Sequence, residues 1–368
     1  MVAVSNRKEL AQFLERQLTK TYEDLREKRQ LEFEQNLLKT YIIESNLSSV
    51  SEIPRVEDYE TSVSETKDKT LHVLTVKNQR GVGVFYVDTL NPRFWIFHTV
   101  SKSEFSDFYI NKLVVSIMNG LDYPWLPIQF LEEIGAGEHL RGFSLRYEDE
   151  FTSADEHEGI VPVKTLSMKL WGNTASRVLE ILRRDEELAY AVALSGIGIK
   201  HFANHDEYVI DDITFQGKFT ARGTSIDAHF YVVRNVQRKY EEKLKLIEEH
   251  AISMLPTERG VEISGQPLTI VLKKPIENLT TFLDTLLSSK NPFRLWGLSK
   301  FMDKDFVRVN AVDLHTSHEL NLEVTPNWIR IYLPEGSCGN TVLRLFTNIQ
   351  HYYDSNAELE GAEDERII

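Results

Sequence analysis

Residues 268–287 read LTIVLKKPIENLTTFLDTLL and decide the fold class, because they join two elements of different periodicity. A short apolar strand comes first, a Lys-Lys-Pro junction interrupts it, and leucine and phenylalanine then recur at helical spacing. Residues 166–182, which read LSMKLWGNTASRVLEIL, have the same pattern. The sequence therefore predicts a strand followed by an amphipathic helix at two places about 100 residues apart.

Each of these stretches is followed by a similar series of predicted elements. After residue 287 the pattern predicts strands at Val307–Leu314, Glu319–Val324 and Trp328–Leu333, then a helix from Thr341 to about Tyr353. After residue 182 it predicts strands at Tyr208–Thr214, Lys218–Arg222 and Ala228–Arg234, then a helix from about Gln237 to Ser253. We interpret both as β-α-β-β-β-α repeats, although strand–turn–strand–helix series are common enough to match by chance.

A partial third copy precedes both repeats. Strand-like alternation occurs at Leu71–Lys77, Gly83–Asp88 and Arg93–Thr99, and Ser103–Met118 has the pattern of a closing helix. Residues 119–165 fit no copy and are interpreted as an insertion. The expected fold is α+β, with tandem antiparallel sheets that carry helices on one face. The other face of each sheet is then bare and needs a cover.

The order of these elements resembles that of the saddle of TATA-box-binding proteins. No sequence motif of that family is present, so the resemblance concerns the fold alone.

The N-terminal region has a different pattern. Leu10, Phe13, Leu14 and Leu18 recur at helical spacing, and a second stripe includes Tyr41 and Ile42, so residues 7–45 are predicted to be helical. This helix lies on the protein's own core or dimerises as a coiled coil. The predicted organisation is a helical segment (1–45), a polar linker (46–69), a partial unit with an insertion (70–165), two repeats (166–265 and 266–355) and an acidic disordered tail (356–368).

Composition excludes several classes of protein. The chain has 368 residues, 42 Lys and Arg against 56 Asp and Glu, a net charge of −14 and a single cysteine, Cys338. One cysteine excludes an internal disulfide framework and a cysteine-based zinc cluster. The negative charge does not favour a general nucleic-acid binder. Neither a signal-peptide pattern nor an apolar run long enough to cross a membrane is found, so we expect a cytoplasmic location without membrane association.

The clearest candidate site is an aromatic and cationic stripe on the bare sheet face. On a strand, Trp328, Arg330 and Tyr332 share one face, while Ile329 and Ile331 share the other. Arg294 and Trp296 precede the same sheet, and Arg93 and Trp95 show a similar alternation in the third copy. Such a stripe suits a protein partner or single-stranded nucleic acid. The favoured explanation is that these large aromatics fill the space between units, because Trp and Phe exposed without a partner are unusual.

A second candidate is the segment HFANHDEYVIDD at residues 201–212. On a helix His201 and His205 would share a face and could bind one metal ion, with Asp206 or Asp211 as a further ligand. The zincin pattern HExxH is absent, and solvated polar residues at a helix end explain the cluster better.

No catalytic or cofactor motif is found, including GxSxG and the P-loop pattern. We therefore expect a non-enzymatic interaction or scaffold protein, a subunit of a multi-component assembly, with no cofactor. The alternatives are a nucleic-acid-binding protein that uses the stripe and a metal-dependent hydrolase or nuclease. Oligomerisation through the N-terminal helix is a further possibility.

Overall fold

The computed structural model describes residues 4–18, 37–116, 118–151, 163–257, 260–361 and 365–368. The helices in these residues are α1 (Arg7–Leu18), α2 (Ser103–Val115), α3 (Ile128–Ala136), α4 (Ala175–Arg184), α5 (Ile226–Glu249), α6 (Leu279–Leu286) and α7 (Asn340–Tyr352). The strands of the N-terminal half are β1 (Leu38–Ser45), β2 (Glu60–Glu65), β3 (Leu71–Asn78), β4 (Gly81–Asp88), β5 (Phe94–Thr99), β6 (Leu121–Asp122), β7 (His139–Glu148) and β8 (Thr165–Trp171). The remaining strands are β9 (Leu194–Phe202), β10 (Tyr208–Thr214), β11 (Lys218–Gly223), β12 (Ser253–Thr257), β13 (Gly260–Ser264), β14 (Leu268–Val271), β15 (Leu295–Asp303), β16 (Phe306–Asp313), β17 (Glu319–Val324), β18 (Trp328–Tyr332) and β19 (Glu358–Glu360).

The architecture is α+β, with large antiparallel sheets in tandem units, as predicted. Unit 1 comprises Met1–Pro124, Ile134–Arg141 and Ile197–Arg238, and unit 2 comprises Trp125–Glu133, Gly142–Gly196 and Lys239–Ile368. Each unit is made of three segments that are separated in the sequence. Each predicted domain, in contrast, was a single continuous segment. No helix in the described part of the chain is both long and apolar enough to cross a membrane.

Unit 1 is built on a sheet with the strand order β2-β3-β4-β5-β1-β11-β10, in which β6 also pairs with β1. At its centre β1 pairs antiparallel with β5 and with β11, and Thr40 lies directly opposite His98. Every residue of β1 and of β5 is buried, so these strands are covered on both faces. Their sequences, LKTYIIES and FWIFHT, have bulky residues at both odd and even positions, which suits burial on two faces.

The N-terminal prediction is correct for α1 and wrong for residues 38–45, which form β1. Leu10, Leu14 and Leu18 of α1 are buried, so this stripe lies on the protein's own core rather than being free for a coiled coil. Tyr41 and Ile42 form a strand because they are β-branched or aromatic and are buried on both sides. Residues 19–36 lie outside the described residues. The predicted linker also contains a strand, since β2 pairs with β3.

Unit 2 contains a second sheet, with the strand order β15-β16-β17-β18-β14-β19. Burial alternates residue by residue along β16, β17 and β18, so one face lies in the core and the other is open. The buried face contains Ile329 and Ile331, while α6 and α7 supply further buried apolar side chains. Helix α6 begins at its N-cap Asn278, whose side chain accepts hydrogen bonds from the backbone N–H groups of Thr280 and Thr281.

The repeat pattern predicted β16, β17, β18 and α7 well, but it was wrong in the segment 228–234. This segment lies inside α5 rather than in a strand. The residues YVV favour a strand by propensity, yet the buried residues of α5 continue at helical spacing through Val232, Val236 and Tyr240. Whether the two repeats arose by duplication stays a prediction.

The C-terminal tail is also more ordered than predicted. Strand β19 pairs antiparallel with β14, with Leu359 opposite Ile270. Leu359 is fully buried, and Ile367 and Ile368 are buried as well. Burial of these apolar side chains stabilises the described parts of the tail, residues 356–361 and 365–368.

A buried ion pair joins α7 to β16. The Arg344 guanidinium donates to Asp313 and, through Nε, to the carbonyl oxygen of Phe293 at 3.0 Å. The Thr341 hydroxyl donates to the other Asp313 oxygen at 2.7 Å. Burial alone would raise the pKa of Asp313, but Arg344, His315 and the Thr341 hydrogen bond lower it to about 2. The carboxylate therefore stays ionised and fixes the helix on the strand.

We predict that Asp313→Asn destabilises the protein by about 3–5 kcal/mol, because it leaves the buried Arg344 charge uncompensated. The exposed ion pair between Arg308 and Glu323 in the same sheet is a matched control, and Arg308→Gln is expected to cost less than about 1 kcal/mol. Urea unfolding measured at neutral pH checks both. Equal losses for the two variants would contradict the proposed role of the buried pair.

A second buried group in unit 2 makes stability depend on pH. Burial lowers the pKa of His351 to about 4, and the nearby Arg146 charge acts in the same direction, although the hydrogen bond to the Arg146 carbonyl opposes the shift. His351 is thus neutral in the folded protein at pH values where an unfolded histidine, with a pKa of about 6.5, is already protonated.

We predict that His351 makes the free energy of unfolding fall by about 3 kcal/mol as the pH is lowered from about 6.5 to about 4. The sign follows because the unfolded chain binds the proton in this range and the folded chain does not. His351→Gln is expected to remove this part of the slope, whereas His72→Gln, at a partly exposed position, is expected to keep it. Urea unfolding at several pH values checks this, and identical slopes for the wild type and His351→Gln would contradict it.

Candidate functional site

The open face of the unit 2 sheet carries most of the predicted aromatic and cationic stripe. Trp328, Arg330 and Tyr332 alternate with the buried Ile329 and Ile331 along β18. The arrangement follows from the register, since Arg330 lies opposite Glu323 on β17, which in turn lies opposite Arg308 on β16. The face therefore places one carboxylate between two guanidinium groups.

Glu323 organises the polar contacts of this face. Its Oε1 accepts from Arg308 Nε at 3.2 Å, and its Oε2 accepts from the Tyr332 hydroxyl at 2.9 Å and lies 3.8 Å from Arg330. The Arg330 guanidinium also lies over the Trp328 ring, 4.6 Å from its centroid. Both arginines are thus held in place by neighbouring side chains, and their charge is partly neutralised.

Strand β15 forms an edge of this sheet and is the most exposed part of it. It pairs with β16 on one side, and on its other side an isolated bridge joins Trp296 to Ser288. From Leu298 to Asp303 every side chain is exposed, on both faces of the strand. The exposed residues include Leu298, Phe301 and Met302, so a long open edge coincides with apolar side chains.

The hairpin of β12 and β13 is a second exposed apolar region of unit 2. It forms a two-stranded sheet of its own, in which Met254 lies opposite Ile263 and Leu255 opposite Glu262. Met254, Leu255, Val261 and Ile263 are all more than half exposed. Isolated two-stranded hairpins are marginally stable in water, so this one would gain from a cover.

These two regions hold a large share of the exposed apolar surface. Seventeen large apolar side chains are exposed in the described residues, and eight of them lie in β15 or in the β12–β13 hairpin. Scattered single apolar residues are normal on protein surfaces, but a concentration of this kind is typical of an interaction site.

Three residues predicted for the stripe lie elsewhere. Arg294 is buried before β15, and Trp95 is buried in β5, where its Nε1 donates to the Pro92 carbonyl. Arg93 pairs with the buried Glu44. Alternation along β5 does not separate a buried face from an open one, because both faces of this strand are covered. Of the residues predicted for the stripe, those that reach the open face of the unit 2 sheet are Trp296, Trp328, Arg330 and Tyr332. The exposed strand β15 and hairpin were not predicted, although residues 254–263 and 298–302 are visibly apolar in the sequence.

The predicted metal ligands are not brought together. His201 lies on strand β9 rather than on a helix, and its Nδ1 is 2.9 Å from Glu138. His205 and Asp206 are exposed in the following turn. Asp211 is fully buried on β10. The prediction of a shared ion assumed that this segment is a helix, and it is not. No three of these four side chains lie close enough to hold an ion.

Asp211 instead ends a chain of buried hydrogen bonds in unit 1. Its Oδ1 is 2.8 Å from His229 Nδ1, His229 Nε2 is 2.8 Å from the Thr40 hydroxyl, and that hydroxyl is 2.9 Å from His98 Nδ1. The strands β10, β1 and β5 and the helix α5 each contribute one member. All four side chains are buried. His98, Thr40 and His229 are distant in sequence, so no local motif indicated this chain.

The chain is similar over its full length to proteins of a single family. A family model described as MJECL33-like protein matches residues 1–368. The uncharacterized protein MJECL33 of Methanocaldococcus jannaschii is 33% identical over 400 residues, which cover 97% of this chain and 94% of that protein. A match of this length and identity shows a common fold and ancestry, and this chain belongs to the MJECL33-like protein family.

Proposed function

We propose that this protein is a cytoplasmic, non-enzymatic interaction protein and a subunit of a multi-component assembly. The concentration of exposed apolar side chains on β15 and on the β12–β13 hairpin carries the proposal. Surfaces of this composition bury apolar area when a partner binds, which is the main favourable term in protein association.

The partner is a protein that adds an extended strand to the open edge of β15. An edge strand offers a row of backbone N–H and C=O groups, which a second strand can pair with. Natural edges are protected by short length, charges, bulges or proline. Strand β15 does carry Lys300, Asp303 and a register shift between Phe301 and Asp303. It nevertheless has nine residues, contains no proline and exposes Leu298, Phe301 and Met302. Its apolar side chains would provide specificity, and its backbone would provide affinity.

The charges of the open face also favour a protein partner over nucleic acid. Phosphate binding gains its free energy from cations that replace condensed counterions. Here Glu323 already lies between Arg308 and Arg330, and Arg294 is buried. Glu323 thus offsets one of the two arginine charges, and these paired side chains suit the rim of a protein interface.

We predict that Leu298→Asp abolishes association with the partner, because a carboxylate on the exposed edge would have to be desolvated in the complex. Leu90→Asp is the matched control, since Leu90 is 61% exposed and Leu298 is 68% exposed. Tagged wild type and both variants are purified from the native organism, and the proteins retained at stoichiometric amounts are identified and reconstituted with the purified chain. Retention of the same proteins by Leu298→Asp would overturn the proposal, and so would retention of none by the wild type. Concentration-dependent dimers of the pure chain that Leu298→Asp abolishes would identify a second copy as the occupant instead.

The nucleic-acid alternative has its own test. We expect weak binding of a fluorescent oligothymidylate at about 50 mM salt, with little change in Arg330→Ala, because Glu323 offsets the arginine charge. Fluorescence anisotropy measures the affinity. Tight binding that falls steeply with salt and is lost in Arg330→Ala would favour nucleic acid as the ligand.

A further inference from the structure

Unit 1 contains a cleft of about 690 Å³ that differs in character from the exposed regions of unit 2. Helix α1, strand β5 and helix α5 each contribute to its lining. The volume falls within the range of pockets that hold small molecules. The cleft therefore has room for a compact organic ligand.

The lining combines positive charge with apolar surface. Four cationic side chains and two carboxylates line the cleft. The cations are Arg7, Lys8, Arg234 and Arg238, and the carboxylates are Asp88 and Asp227. Arg7 is bound to Asp88 and Asp68, and it also donates to Thr70. Arg238 also has a partner, in Asn235. Arg234 makes no ion pair within the described residues, so it is the cation available to an anion in the cleft. The apolar side of the cleft is formed by Leu10, Ala11, Ile96, Phe230 and Val233.

His98 lines the same cleft and ends the buried hydrogen-bond chain. Its Nδ1 is bonded to Thr40, and its Nε2 makes no hydrogen bond to any residue that the structure describes. Since His98 lines the cleft while its Nδ1 is bound to Thr40, Nε2 is the ring nitrogen left to meet a ligand there. The cleft supplies the space in which a ligand atom could provide it.

The hydrogen-bond chain occupies one ring nitrogen of His98 and leaves the other for the cleft. In a neutral imidazole one nitrogen donates and the other accepts, and the Thr40 hydroxyl at Nδ1 can do either. A ligand hydroxyl can likewise donate to Nε2 or accept from it, so a hydroxyl suits both tautomers of His98. Burial, together with the neighbouring His229 and Arg234, lowers the pKa of His98 well below its usual value, which agrees with a neutral ring.

We propose that the cleft is a binding site for a small organic anion that has an apolar body and a hydroxyl group. The anionic group is bound by Arg234, the body packs on Ile96 and Phe230, and the hydroxyl forms a hydrogen bond with Nε2 of His98. The site lies within unit 1 and goes beyond the interaction function proposed for unit 2.

Two probes that differ in one group test the site. 4-Hydroxybenzoate has an anion, an apolar ring and a hydroxyl donor, whereas 4-methylbenzoate replaces the hydroxyl by a methyl group of similar size. Isothermal titration calorimetry on the full chain is expected to show binding of 4-hydroxybenzoate, and binding about tenfold weaker for 4-methylbenzoate, because a methyl group cannot form the hydrogen bond to Nε2 of His98. No heat of binding for either probe up to about 10 mM would overturn the proposal, as would equal affinities.

Three variants locate the binding. Arg234→Gln is expected to weaken 4-hydroxybenzoate about tenfold by removing a charge-assisted contact, while Arg141→Gln, an exposed arginine of the same unit outside the cleft, leaves it unchanged. Ala11→Phe fills the cleft without altering its charge and is expected to abolish binding. Circular dichroism and thermal unfolding confirm that each variant is folded. Unchanged affinity in both Arg234→Gln and Ala11→Phe would overturn the assignment to this cleft.

The outcome is separable from that of the interaction proposal. Leu298→Asp lies in unit 2 and is expected to bind 4-hydroxybenzoate as the wild type does. Loss of partner binding with retained benzoate binding supports both proposals, whereas partner binding by a protein with no benzoate binding leaves the interaction function and removes the ligand site.

Discussion

The alternation of buried and exposed residues along β16, β17 and β18 is the constraint on which unit 2 depends. Side chains on a strand point to opposite faces in turn, so one set can enter the core only if the other set leaves it. Val307, Val309 and Ala311 are buried, while Arg308 and Asn310 between them are exposed. The buried set requires α6 and α7 as a cover, and the exposed set consequently forms the open face.

Unit 1 differs from unit 2 because its central strand is covered on both faces. Strand β1 is buried on both faces, which brings Lys39, Thr40 and Glu44 into the interior together with its apolar residues. Buried polar groups need partners, and the unit supplies them across strands. Glu44 pairs with Arg93, and Thr40 joins His98 to His229. Desolvation by burial and the nearby Lys218 charge lower the pKa of Lys39 to about 8. The hydrogen-bond chain at the cleft is thus a consequence of burying a polar strand completely.

The sequence pattern correctly predicted those elements whose neighbours in the structure are also close in sequence. The strands β16, β17 and β18 alternate cleanly and are joined by short turns, so their positions and the inward orientation of Ile329 and Ile331 could be predicted. Prediction was wrong where distant residues decide the environment. Residues 38–45 are compatible with a helix until β5 and β11 pair on either side, and Trp95 looks like an outward-facing aromatic until its second face is covered.

The candidate sites also differ in whether their residues are close together in the sequence. Trp328, Arg330 and Tyr332 follow one another on a single strand, so period two was sufficient to place them on one face. Thr40, His98, Asp211 and His229 come from four elements, and no spacing within one segment could connect them. Strand β15 was missed because the apolar residues of LWGLSKFMD do not alternate with polar ones. Its exposure was missed because sequence cannot distinguish an uncovered apolar residue from a buried one.

The unit 1 cleft and the open face of unit 2 differ in how far their positive charges are compensated. Its net charge of −14 repels small anions on average, so an excess of cations around the unit 1 cleft reverses the local field where an anion would have to enter. On the open face of unit 2, by contrast, Glu323 pairs with both Arg308 and Arg330 and partly neutralises them, and a paired charge costs less to cover than an isolated one. Uncompensated charge attracts a small ligand of opposite sign, whereas compensated charge beside exposed leucine, phenylalanine and methionine permits a protein to bind. The two surfaces therefore suit ligands of different size and chemistry, although both belong to one acidic chain.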